Sequence, residues 1–250
     1  MNASHTLSCT LLTNDVDAFG LWRPNAMFRL MQESAGEHSA KLGFSRETLV
    51  EKLGFVWMIA RAQSVIHRMP GYRDTIHVTT WYGEPNKITF PRYFRVYDEN
   101  DTLIASASTA WTLVDLSSRR IVPPGKCDLT FPPVASLTSE LPEPGKLRLK
   151  KEGAPEIVCR APLYGDIDVN GHMNNASYVS WVMDLFPLEH HRQFRLRAFS
   201  IGYLSEAVPG EQVQISLYRD GNAFEVQGVD LVDRHPVFEA QGEWLPVQVD

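Results

Sequence analysis

A faint internal repeat constrains this chain more than any other feature, because a duplicated sequence folds as two copies of one supersecondary plan. "NDVDAFGLWRP" (Asn14 to Pro24) and "GDIDVNGHMNN" (Gly165 to Asn175) align at a constant offset of 151 residues, so that Asp15 meets Asp166, Asp17 meets Asp168 and Gly20 meets Gly171. Two positions change in kind: Phe19 stands against Asn170, and Leu21 against His172. Each copy runs on into apolar residues at helical spacing, Met27, Leu30, Met31 and Ala35 in the first and Tyr178, Val179, Val182 and Phe186 in the second. Each then alternates around a Pro-Gly turn, at Pro70-Gly71 and Pro209-Gly210, and closes on Ala-x-x-x-Trp, at Ala107 to Trp111 and Ala240 to Trp244. The offset falls from 151 to 139 and then 133, as shorter loops in the second copy require. Ordered matches at four places point to duplication.

Each unit therefore reads as α+β: a strand, a turn, one long helix, then three or four antiparallel strands. The strands expected in the first unit are 55–67, 75–82, 88–97 and 102–115, with Ile76, Val78, Thr80 and Tyr82 alternating as a half-buried strand does. Those of the second are 198–206, 212–218, 223–232 and 237–247. One helix per sheet buries its apolar stripe if the sheet curls around it. The units are expected at 1–116 and 157–250. Between them, 117–156 carries Pro123, Pro124, Pro132, Pro133, Pro142, Pro144 and Pro155, too many for central strands or helix interiors, and reads as an extended linker.

Composition narrows the function. With 44% hydrophobic and 22% charged residues the 250-residue chain has ample material for cores, while a net charge of −6 gives no general attraction to nucleic acid or anionic membrane. Cys9, Cys127 and Cys159 are odd in number and widely spaced, so neither a disulfide framework nor a thiolate metal site is indicated. The N-terminal stretch lacks a basic region followed by an apolar core, and no run approaches 18 apolar residues; a reducing cytoplasm is the expected setting. The only adjacent histidines, His190 and His191, would point in different directions, so no metal or other cofactor is expected.

The second copy of the repeat is the chemically loaded one. Asp166, Asp168, Asn170, His172, Asn174 and Asn175 form a complete Asp-x-Asp-x-Asn-x-His-x-Asn-Asn pattern followed by Tyr178 and Trp181. With "FVWMIARAQSVIHRMP" in the first unit and the segment ending at Asp115, the chain resembles the acyl-ACP thioesterases over nearly its whole length. That resemblance implies two tandem hotdog units, each a long helix wrapped by a curved antiparallel sheet. It also implies hydrolysis of medium- or long-chain acyl thioesters carried on acyl carrier protein. The family's catalytic Asp, Asn and His fall on Asp168, Asn170 and His172, and its catalytic Glu, on a later strand, falls on Glu206 in "IGYLSEAVPG". At the next position, where the plant branch commonly has cysteine, Ala207 stands here, which disfavours a cysteine nucleophile. The resemblance further implies that the first unit holds the acyl chain, near Met27, Met31 and Trp57 to Ile59, Met58 included.

The residue types support such chemistry independently. Thioester hydrolysis needs an activated water, donors for the developing oxyanion and a proton for the departing thiolate. Backbone N–H groups at the helix start near Asn174 and Asn175 supply donors with partial positive charge. The Asn170 amide can orient the carbonyl or the water, and His172 with Asp168 or Glu206 can share acid–base work. Glu206 is read as the base that activates water, though an acyl intermediate on Asp168 is also chemically open. Asp168 and Asn170 are equally good turn and cap residues, and the first copy retains both aspartates. If the aspartates serve the turn, Asn170 and His172 mark the copy that does chemistry. Competing expectations are an acyl-CoA thioesterase, an enoyl-thioester hydratase and a non-catalytic acyl-binding module. The "KLRLKKE" run, 146–152, is either a solvated face or a docking patch for the acidic carrier protein. A monomer satisfies the fold, as does a homodimer.

Overall fold

A computed structural model describes residues 3–127, 129–132 and 136–247. The chain forms two compact units, Met1–Pro144 and Gly145–Asp250. The first contains β1 (Ser4–Thr10), α1 (Pro24–Lys41), a short α2 (Arg46–Thr48) that runs into a π-turn at Leu49–Leu53, β2 (Phe55–Ile66), β3 (Thr75–Tyr82), β4 (Phe90–Asp98), β5 (Leu103–Asp115) and a two-residue β6 (Ile121–Val122). Its antiparallel strand order is β2-β5-β4-β3-β1, with β6 on β5. The second contains β7 (Glu156–Arg160), α3 (Asn175–Met183), α4 (Leu188–Gln193), β8 (Phe194–Tyr203), β9 (Val213–Asp220), β10 (Ala223–Asp230) and β11 (Pro236–Pro246). Its order, β8-β11-β10-β9-β7, repeats the first strand for strand.

The irregularities repeat as well. Ala60 is the extra residue where Ile59 and Arg61 face Trp111 and Ala110, and Arg197 is its twin where Leu196 and Ala198 face Trp244 and Glu243. Ile104 is extra opposite Val96 and Tyr97, as Val237 is opposite Gly228 and Val229. Bulges re-aim strands at fixed places, and two shared bulges support the duplication read from the repeat.

Helix α1 starts with Pro24 in its first turn, where a missing N–H costs nothing, and buries Met27, Phe28, Met31 and Ala35. Helix α3 is nine residues long, shorter than the expected long helix. Pro187 explains the stop, since proline disfavours helical backbone at the residue before it and cannot donate to the preceding turn. Phe186, beyond the helix, still fills the core from the turn, its ring centroid 4.9 Å from those of both Phe224 and Trp244.

The proline-rich segment is not a free tether. Arg61 and Gln63 on β2 donate to the carbonyls of Pro144 and Pro142, and Ser108 on β5 also donates to Pro142. Leu129 and Phe131 pack on the cluster of Leu49, Phe90 and Leu113. Proline carbonyls keep their acceptor capacity while offering no N–H, so side chains of the sheet hold the strap. Pro133 lies outside the described residues. His190 and His191, on α4, have rings 89° apart and pack against Trp244.

Candidate active site

The repeated Asp loop has one hydrogen-bond plan in both units. In the first, Asp15 Oδ2 accepts from Leu12 N, Asp17 N donates to Leu21 O, Gly20 N to Asp17 O, and Arg23 N to Asp15 O. In the second, Asp166 Oδ2 accepts from Leu163 N, Asp168 N donates to His172 O, Gly171 N to Asp168 O, and Asn174 N to Asp166 O. Gly20 and Gly171 have φ of 74° and 78°, a left-handed turn position that any Cβ would strain. Asp17 Oδ1 accepts from Phe19 N, and Asp168 Oδ1 from Asn170 N, both at 2.8 Å. The aspartates thus build the turn in both copies, as Asx residues do by holding backbone N–H groups two positions on.

What the second copy adds is a second layer of polar contacts. Asn170 Nδ2 donates to Asp168 Oδ2 at 3.2 Å, and His172 Nδ1 lies 3.2 Å from Glu206 Oε1. The imidazole and carboxylate side chains are 45% and 33% exposed, partly open to solvent. Because Asp168 also bonds the backbone of His172, the four predicted catalytic residues form one connected group.

Glu206 itself is placed differently from the expectation. Strand β8 ends at Tyr203, and Glu206 lies in the connection to β9, not on a strand. The ladder stops because the bulged Val237 carbonyl takes the N–H groups of both Leu204 and Ser205. The same pattern in the first unit, His67 and Arg68 on Ile104, makes His67 the counterpart of Leu204. The offset of 139 pairs the Pro-Gly turns but is two residues too long at the strand end, so the loop between has lengthened in the second unit.

Tyr178, one turn into α3, braces that loop: its buried Oη accepts from Ala207 N at 3.0 Å, next to Glu206. Burial first, and then Glu206, Glu211 and Asp166, push its phenol up to about 12 against the pull of the Ala207 N–H, so it stays neutral at working pH. Tyr203 Oη donates to the Asn175 carbonyl, and burial raises its phenol too. Bracing by Tyr178 was not readable from the sequence, where it counted only as an apolar helix residue and part of the motif. Asn174 caps α3, its Oδ1 accepting from Ala176 N at 2.8 Å and its carbonyl from Ser177 N, while its own N–H donates to Asp166 O.

The predicted chain-binding residues divide by environment. Met27 and Met31 lie in the buried face of α1. Trp57 packs edge-on to Phe90 at 4.9 Å within the Leu49–Phe90–Leu113 cluster, while Met58, its neighbour on β2, points to the opposite face and is exposed.

The fold is that of solved acyl-ACP thioesterases. One from Bacteroides thetaiotaomicron VPI-5482 matches with a TM-score of 0.86 at 22% identity, over 97% of this chain and 98% of that one. The 12:0-ACP thioesterase from Umbellularia californica matches with 0.83 at 21%, over 99% of both. The two units are tandem hotdogs. The family model for the acyl-ACP thioesterase N-terminal domain matches residues 3–124, and that for the C-terminal domain matches 150–242. The chain belongs to the acyl-ACP thioesterase family. Among curated relatives, the chloroplastic oleoyl-acyl carrier protein thioesterase of Coriandrum sativum is 28% identical over 71% of this chain and 52% of its own length. The chloroplastic palmitoyl-acyl carrier protein thioesterase of Gossypium hirsutum is 29% identical over 70% and 45%. The chain spans about half the length of these relatives.

Proposed function

We propose that this chain hydrolyses medium- or long-chain acyl-[acyl carrier protein] to free fatty acid and carrier thiol. The observation that carries the reading is the asymmetry between the two Asp loops: one scaffold, built twice, carries Asn170 and His172 in the second unit only, and there His172 meets Glu206. A pure binding module has no need of that difference.

In the proposed reaction Glu206, oriented by His172, takes a proton from water as the oxygen attacks the thioester carbonyl. Asn170, held by Asp168, orients the carbonyl or the water, and the Asn175 N–H at the start of α3, beside Asn174, stabilises the oxyanion, a contribution of about 10²–10³ in turnover. Collapse breaks the C–S bond, and the proton passes to the thiolate from the His172–Glu206 pair. Acid–base work of this kind contributes roughly 10²–10⁴. The first unit supplies the acyl-chain site around Met27, Met31 and Trp57, with Met58 on the other face of β2 outside it.

Acyl carrier protein is acidic, and the candidate dock is extended chain in which Lys146, Arg148 and Lys150 are exposed while Leu147 and Leu149 are half-buried. Lys151 N fastens it to Glu225 on β10. Cys9, Cys127 and Cys159 are free thiols, which suits a cytoplasmic enzyme without a cysteine nucleophile. No helix of the described residues is long and apolar enough to cross a membrane.

The test is thiol release from acyl-ACPs of about eight to eighteen carbons beside the matching acyl-CoAs, with wild type and His172→Ala. Release from acyl-ACP that collapses in the variant supports the reading. Preference for acyl-CoA, hydration of enoyl thioesters without thiol release, or binding without turnover would each replace it.

A further inference from the structure

The β10–β11 turn of the second unit gathers Asp230, Asp233 and His235, three groups whose ligand atoms all lie within 4.8 Å of one another. Asp230 is only 3% exposed. Its Oδ1 accepts from Val232 N and Asp233 N, but its Oδ2 is buried with no hydrogen-bond partner among the described residues. A buried carboxylate oxygen without a partner is unfavourable, and a cation is one group that relieves it.

The first unit shows what belongs there. Asp98 occupies the equivalent place: its Oδ1 accepts from Asn100 N and Thr102 N, and its Oδ2 is met by the Arg68 guanidinium. By the shared bonds to the bulged carbonyls of Ile104 and Val237, the counterpart of Arg68 is Ser205, whose hydroxyl turns to Pro236 O. The second unit has thus lost the built-in cation, and in its turn the Asp233 carboxylate is hydrogen-bonded to the His235 ring. Arg234, between them in sequence, is directed to Gln214.

We propose that Asp230, Asp233 and His235 bind one divalent metal ion that takes over the role of the Arg68 guanidinium. Two carboxylates and one imidazole suit a borderline ion such as Zn²⁺ or Mn²⁺ better than Mg²⁺, with Asp230 buried, His235 half-buried and Asp233 exposed around it. The ion's role is structural: Ser205 Oγ and the N–H groups of Leu204 and Ser205 bond to Pro236 and Val237, so the turn and the segment leading to Glu206 are tied together.

The test uses the untagged full chain after chelator treatment, titrated calorimetrically with Zn²⁺ and with Mn²⁺, and melted with and without saturating ion. The expected result is one saturable site for at least one ion, a Tm gain of about 5 °C, and affinity at least about tenfold weaker in Asp233→Asn and in His235→Gln. Ser205→Arg, which restores the first unit's arrangement, abolishes binding. Absence of one-to-one binding of both ions overturns the proposal, since protonated His235 would then be the counter-charge. Binding that survives the two ligand variants, or is undiminished in Ser205→Arg, overturns it as well.

Discussion

The first unit keeps its polar chemistry inside, and the second keeps it at an open loop. On β4, Arg92 faces Thr109 and is 1% exposed; the same register on β10 places Phe224 opposite Gly242. Arg92 bonds to His38 Nδ1, Thr80 Oγ1 and Ser39 Oγ, with its guanidinium 3.7 Å above the Tyr82 ring, whereas Phe224 simply joins Phe186 and Trp244. At the Asp loop the polarity is reversed, with Phe19 and Leu21 in the first unit against Asn170 and His172 in the second. Duplication thus preserved backbone devices, the turn aspartates, the glycine and the bulges, while the polar side chains on the same scaffold separated into a buried set in the first unit and a loop set in the second.

Four experiments would break or sharpen that comparison. The largest effect belongs to the proposed catalytic loop: on the proposed function, His172→Ala and Glu206→Gln should each lower acyl-ACP turnover by about 10²–10⁴ while leaving the denaturant midpoint almost unmoved, because both side chains are partly exposed. A comparable loss of stability would instead make the pair structural. Next comes Arg92→Ala, which removes a large buried side chain and strands its polar partners; a cost of about 3–5 kcal/mol is expected in urea unfolding. The equivalent Phe224→Ala should cost a similar amount by leaving a cavity alone, so Arg92→Met, which fills space, should recover much more than Phe224→Ser.

A smaller effect separates scaffold from chemistry. Asp17→Ala and Asp168→Ala should each cost about 1–2 kcal/mol by releasing turn N–H groups, with only Asp168→Ala also losing turnover through Asn170. Equal activity losses would abolish the distinction between the copies. The smallest effect is alkaline. An unfolded tyrosine ionises near its ordinary value of 10, whereas Tyr178 holds its proton up to about 12, so above pH 10 the unfolded chain binds fewer protons and stability falls. Between pH 9 and 11 wild type should lose about 1 kcal/mol more than Tyr178→Phe, measured by chemical denaturation.

Much of this was legible in the chain because it rests on local rules. The Asp-x-Asp turn with a left-handed glycine is closed by bonds spanning a few residues, so its two copies could be aligned and their divergence at Asn170 and His172 recognised without a structure. The strand at 75–82 was read to the residue, because alternation was uninterrupted and a Pro-Gly turn preceded it. Other features depend on distant partners. The end of β8 was missed by three residues because a bulged carbonyl 33 residues later stops the ladder.

By itself the sequence determined that there are two units of one α+β plan, that both carry the same aspartate turn, and that only the second carries asparagine and histidine upon it. Each follows from backbone preferences and side-chain periodicity that act over a single turn, helix or strand. Tertiary structure alone decided that Glu206 leaves its strand to meet His172, that Tyr178 braces the loop, and that the carboxylate of Asp230 is buried where Asp98 has an arginine. Burial and approach of residues far apart in the chain are set by the packing of sheets and their bulges, and no local pattern encodes which polar atom will be left without a partner.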